Sequence, residues 1–106
     1  MFLPPDIVQA TKQNGMWTVN FPVSSRSRVI TLFSYYAGPA GGNVSVQLGT
    51  TVLMVLTRSD ASGWEFTTPL PLPSGQQLSL AWNTGAGGAG PIATLYTMLE
   101  ESRASY

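Results

Sequence analysis

Two stretches, Val44-Ser45-Val46-Gln47-Leu48 and Leu78-Ser79-Leu80-Ala81-Trp82, alternate large apolar residues with polar or small ones at every step. Successive side chains of an extended chain point to opposite faces. A period of two therefore puts Val44, Val46 and Leu48 on one side of a strand, and likewise Leu78, Leu80 and Trp82. Each stretch reads as a half-buried strand with one face on a core and the other on solvent or a partner.

Working outward, Thr51-Val52-Leu53-Met54-Val55-Leu56-Thr57 is apolar on both faces. That pattern predicts a central strand, covered on each side and set deep. Arg28-Val29-Ile30-Thr31-Leu32-Phe33-Ser34-Tyr35-Tyr36 is β-branched and aromatic, and Met16-Trp17-Thr18-Val19-Asn20-Phe21 aligns Trp17, Val19 and Phe21 before Pro22. Residues 63–67 and 92–100 complete a set of about seven strands. Gly38-Pro39-Ala40-Gly41-Gly42, Asp60-Ala61-Ser62-Gly63, Pro73-Ser74-Gly75 and the run 85–91 supply turns between them. The expected fold class is all-β, a single small antiparallel sandwich. Pro69-Leu70-Pro71-Leu72-Pro73 cannot donate backbone hydrogen bonds at alternate positions, so it is expected at a sheet edge or as a crossing, with Leu70 and Leu72 pointing inward together.

One domain accounts for the length, with residues 13–100 as the sandwich. Residues 1–12 lack strand alternation and combine Phe2, Leu3, Ile7 and Val8 with two prolines. They read either as an arm that reaches another subunit or as a strap across the chain's own core. Residues 101–106 read as a tail. No cysteine is present to staple so small a core.

The chain has five acids, five bases, no histidine and a formal net charge of zero. Five scattered cations make no patch of the kind nucleic acid requires, and near-zero net charge favours association. No secretory signal or membrane-length apolar run is read from the sequence, which predicts synthesis and folding in a cytoplasm, wherever the protein finally works. Asn43-Val44-Ser45 matches a glycosylation sequon but reads as a polar turn entering a strand.

Few groups suited to catalysis remain. Glu100 and Glu101 are adjacent and would face opposite sides of a strand, while Asp60 and Glu65 flank a turn, where Asp60 is an ordinary turn residue. A nucleophilic serine would have only Lys12 as its base. Neither a metal nor a cofactor site is expected, and the glycine-rich run 85–90 reads as a flexible connection without a phosphate-cradle ending. Of the aromatics, Trp17 and Trp82 fit core positions, and Trp64 beside Gly63 is the tryptophan expected at the surface. Tyr35 and Tyr36 must place one ring on each face of their strand, which predicts a surface or subunit contact for one of them.

The segment Val44-Ser45-Val46-Gln47-Leu48-Gly49-Thr50-Thr51-Val52-Leu53 is followed by Pro69-Leu70-Pro71-Leu72-Pro73-Ser74-Gly75-Gln76-Gln77-Leu78-Ser79-Leu80 and a glycine-rich turn. Ala93-Thr94-Leu95-Tyr96-Thr97-Met98-Leu99-Glu100-Glu101 closes the pattern. From about Ile30 to Glu100 this order of elements resembles small jelly-roll proteins of tailed-bacteriophage virions, the decoration or cement proteins and head-spike domains. The resemblance implies a jelly-roll-like sandwich of about seven to eight strands that forms a homotrimer, binds the major capsid protein or another virion protein, and stabilises the head. It implies no enzymatic activity, cofactor, nucleic acid or membrane partner. Candidate partner or subunit contacts are Phe2, Leu3, Ile7, Val8, Tyr35, Tyr36 and Trp64. On this reading, removal of residues 1–12 should abolish attachment and spare the β fold. The alternative is a carbohydrate- or receptor-binding module of a tail fibre or spike, with exposed aromatics.

Overall fold

The computed structural model describes residues 2–36, 42–57, 62–86, 88 and 90–100, without the side chains of 62–68. Nine strands occur among them: β1 (Asp6–Gln9), β2 (Thr11–Gln13), β3 (Met16–Asn20), β4 (Arg28–Tyr36), β5 (Val44–Leu48), β6 (Thr51–Leu56), β7 (Ser62–Leu72), β8 (Leu78–Trp82) and β9 (Ile92–Leu99). They form two antiparallel sheets, ordered β1-β9-β4-β7 and β2-β3-β8-β5-β6.

The pairing is nested. β5 pairs with β6, β4 with β7, β3 with β8 and β1 with β9, so the chain is one long antiparallel ribbon whose tip is the β5–β6 hairpin. Rolling that ribbon brings β9 beside β4 and β8 beside β5, which closes a jelly roll. β2 adds a short hairpin to the edge. Its turn is Asn14-Gly15, both with positive φ (52° and 78°), the backbone that a two-residue hairpin of type I′ needs.

The inner faces interdigitate. Trp17, Val19, Phe21, Val44, Val46, Leu78, Leu80 and Trp82 come from the five-stranded side, and Ile30, Phe33, Tyr35, Leu72, Ala93 and Leu95 from the four-stranded side. Tyr35 meets Trp82 edge to face across the gap, centroids 5.3 Å apart and planes at 83°. The two stretches whose alternation first indicated strands thus line the core. On β4 the inward positions change parity, because the register slips between Ile30 and Leu32 against both neighbours. Against β9, Thr31 is the extra residue, and its hydroxyl donates to the Tyr96 carbonyl at 3.3 Å, whereas against β7 the surplus lies on β7, between Glu65 and Leu70.

Three expectations change. Residues 1–12 are not devoid of strand structure: they supply β1 and β2 and pair within the same chain. The segment Thr51–Leu56 is not central, because β6 ends its sheet and exposes Val52, Leu53 and Val55. Residues 62–72 form one continuous strand rather than a strand followed by a separate proline segment. As expected of a proline-rich segment, it lies at an edge, with Leu72 buried and Leu70 packed on the core.

The glycine-rich run is a cradle for Trp17 where it is described. The Trp17 indole Nε1–H donates to the Ala86 carbonyl at 2.9 Å. Gly90, at φ 75°, lies under the ring, where an added Cβ would come within 2.9 Å of Cζ3. Lys12 of β2 covers the same ring, its Nζ 4.9 Å from the centroid. That contact occupies the amine considered above as a base for serine.

Arg28 pins the N-terminal segment. It is buried on β4, and its guanidinium donates to Asp6 Oδ2 at 3.2 Å and to the Pro22 carbonyl at 3.1 Å. A cation this deep is tolerable only while its partners stay in place.

Asp6→Ala should therefore cost about 3 kcal/mol, the low end for breaking a buried pair, and lower the melting temperature by more than about 10 °C. Calorimetry showing an unchanged transition would refute this role for β1. Removal of residues 1–12 should damage the fold itself, because it takes Asp6, Val8 and Ala10 together. Gly90→Ala should cost about 2–4 kcal/mol from left-handed backbone strain and crowding against Trp17. Gly88→Ala, whose Cβ meets nothing within 4 Å, should stay within about 0.5 kcal/mol in the same denaturant titration.

Candidate interaction surfaces

Alternation buries one face of every strand and presents the other. On the four-stranded sheet the presented face consists of Val29, Leu32, Ser34 and Tyr36 from β4, Ile92, Thr94, Tyr96 and Met98 from β9, and Ile7 and Gln9 from β1. Phe2 joins through a bridge to Met98. The registers Ile92–Tyr36, Tyr96–Leu32 and Met98–Val29 set these side chains in adjacent rows. Phe2, Ile7, Tyr36 and Tyr96 are 74, 67, 54 and 39 % exposed; the described side chains that β1, β4 and β9 present here are uncharged, and β7 brings Glu65 into register opposite Leu32.

β6 forms a second apolar surface. Val52 and Val55 stand opposite Gln47 and Ser45 on the outer face of the five-stranded sheet, and Leu53 is the unopposed residue of a bulge. The other sheet edges are blunted in ways proteins commonly use to prevent strand addition. β1 is four residues long and follows Pro4-Pro5, β2 is three residues long and carries Lys12, and β7 contains Pro69 and Pro71. β6 has neither proline nor charge.

A third feature is a groove of about 400 Å³ on the outer face of the five-stranded sheet, lined by Gln13, Thr18, Asn20, Gln47, Gln77 and Ser79 among others. Ser79 Oγ donates to Asn20 Oδ1 at 2.9 Å, and Gln77 Nε2 donates to the Phe21 carbonyl at 3.0 Å. The groove is mixed, with Met16, Ala81 and Trp82 beside its amides and hydroxyls, and none of its lining residues is charged.

The structure sorts the residues singled out from the sequence. Phe2, Ile7 and Tyr36 share the apolar face, with Leu3 half-buried beside it and its N–H donated to the Thr97 carbonyl. Val8 packs on the core. Tyr35 is 2 % exposed and belongs to the core, which removes it from the contact candidates. The residue facing Tyr35 in β7 is Ser62, and Trp64 pairs in register with Phe33; the Trp64 side chain lies outside the described part. Asp60 and the Glu65 carboxylate also lie outside it. Asn43 directly precedes β5 and is exposed, its N–H donated to Asn83 Oδ1 at 3.0 Å.

Sequence reasoning missed Tyr96, Met98 and Leu32 on the sheet face, and the exposure of β6. A signal existed in β9, where Ile92, Tyr96 and Met98 occupy one parity while Ala93 and Leu95 occupy the other. A strand apolar on both parities needs two coverings, and the sandwich supplies one.

No protein-family model, curated protein or solved structure matches this chain.

Proposed function

We propose that this chain is a non-enzymatic structural protein of a bacteriophage virion that decorates the head and stabilises it by bridging shell subunits. The observation that carries the reading is the exposed apolar edge strand β6, which has neither proline nor charge and is interrupted by one bulge at Leu53. An open edge accepts an extended segment through backbone hydrogen bonds, with alternate side chains giving selectivity, and Val52, Leu53 and Val55 offer apolar contacts for such a segment. The major capsid protein is the partner that the resemblance to decoration proteins brings forward. A domain with few charges and no disulfide gains stability when a partner binds only its folded form. Because the N-terminal segment is integral to the sandwich, attachment through β6 replaces attachment through residues 1–12.

A carbohydrate- or receptor-binding role in a fibre or spike is the second reading. The neutral amide groove favours it, since amides and hydroxyls match sugar hydroxyls without a charge to desolvate. Glycan binding that disappears in Gln47→Ala would put this reading first.

Heads of the virus that encodes the protein, stripped of it, should co-sediment with the wild-type chain. They should lose at least about 30-fold in affinity for Val55→Lys, the effect of removing one anchor residue. Undiminished binding by a folded Val55→Lys protein would overturn the β6 assignment.

A further inference from the structure

We infer that the outer face of the β1-β9-β4-β7 sheet is the contact between two copies of this chain, packed sheet to sheet about a two-fold axis. This deepens the assembly reading above and assigns it a surface, but it does not depend on a capsid partner.

Area is the first argument. At about 150–250 Å² per aromatic side chain, the exposed fractions of Phe2, Tyr36, Tyr96 and Ile7 leave on the order of 400 Å² of apolar surface in water. Half-buried Leu32 and Met98 extend the same rows. A stable interface takes about 800 Å² from each partner, of which roughly 65 % is apolar in homodimers. The face supplies most of that apolar share without any rearrangement.

Charge is the second argument. In an isologous contact every group near the axis meets its own copy, so a charge there repels itself. The described side chains that β1, β9 and β4 bring to this face carry none, Arg28, Lys12 and Asp6 being engaged elsewhere in the fold; the acid that the register brings beside them is Glu65, opposite Leu32 on the edge strand β7, so the axis belongs over β1, β9 and β4. A sheet face also suits this geometry, because two such faces pack at about 10 Å with interdigitating side chains, as they do inside the sandwich.

Third, the other apolar surface is not the counterpart such a face needs. β6 offers a narrow edge, apolar over a few residues on either side of the Leu53 bulge, which is too narrow to cover a broad sheet face. The face fits itself, and two copies close the contact. The resemblance to decoration proteins implies three.

Light scattering on the full chain should give twice its 11.3 kDa mass. Tyr36→Lys and Tyr96→Lys, on neighbouring strands, should each raise the dimer dissociation constant at least about 30-fold while the circular dichroism stays that of a β protein. Ile7→Lys on β1 is a third variant if one of these fails to fold. Val55→Lys should leave the dimer intact. A monomeric wild type would overturn the proposal, as would a trimer, a dimer indifferent to the folded face variants, or a dimer broken by Val55→Lys. A wild-type monomer that covers this face on binding heads would assign the face to the shell instead. Undiminished head binding by a dimeric Val55→Lys protein would count against the β6 reading alone.

Discussion

The edge-to-face contact of Tyr35 on Trp82 joins the middle of one sheet to the middle of the other, and the remaining structure is arranged to keep those inner faces in register. With no disulfide and about 100 residues, the burial of two interdigitating apolar faces is the main source of stability. A one-residue slip in any strand would turn its core residues outward. The bulge at Thr31 shows that constraint at work. It lets β4 present Ile30 and then Phe33 and Tyr35 to the same core, although their sequence separation violates strict alternation. Trp17 is held at one end of this core by the Ala86 carbonyl and Gly90, and Arg28 is held at another by Asp6.

Covering the inner faces leaves the outer ones to be explained by their own chemistry. A monomer that meets water on both outer faces usually carries charge there, yet this chain has ten charged residues in all. Three dissimilar neutral surfaces result: an apolar sheet face, an apolar edge and an amide-lined groove. The apolar sheet face lies on the other sheet from the remaining two, whereas the groove and the β6 edge adjoin, Val52 standing opposite the groove residue Gln47.

Much of the fold was legible. Seven strands follow from alternation, β-branched residues and turn punctuation, and Leu72 and Leu70 were expected to point inward together despite the prolines around them. The N-terminal hairpin was missed: β3 was read from its alternation, but the turn signal Asn14-Gly15 went unused and the three residues of β2 are too few for periodicity to announce them. The stretch 51–57 was misread for a physical reason. Apolar residues on both faces report that both faces are to be covered, and the same pattern arises in a central strand and in an edge strand whose second covering is another molecule.

The sequence by itself determined that the chain forms an antiparallel β-structure, which residues of β3, β5 and β8 enter its core, and that few groups for catalysis are available, because these follow from residue identity and a period of two. Only the tertiary structure decided that the N-terminal segment pairs with β9 in its own sheet, that Tyr35 rather than Tyr36 is buried, and that β6 lies at an edge. Those outcomes depend on which strands become neighbours when the ribbon rolls up. Neighbours far apart in sequence are chosen by the packing of whole faces, and no local pattern contains that choice.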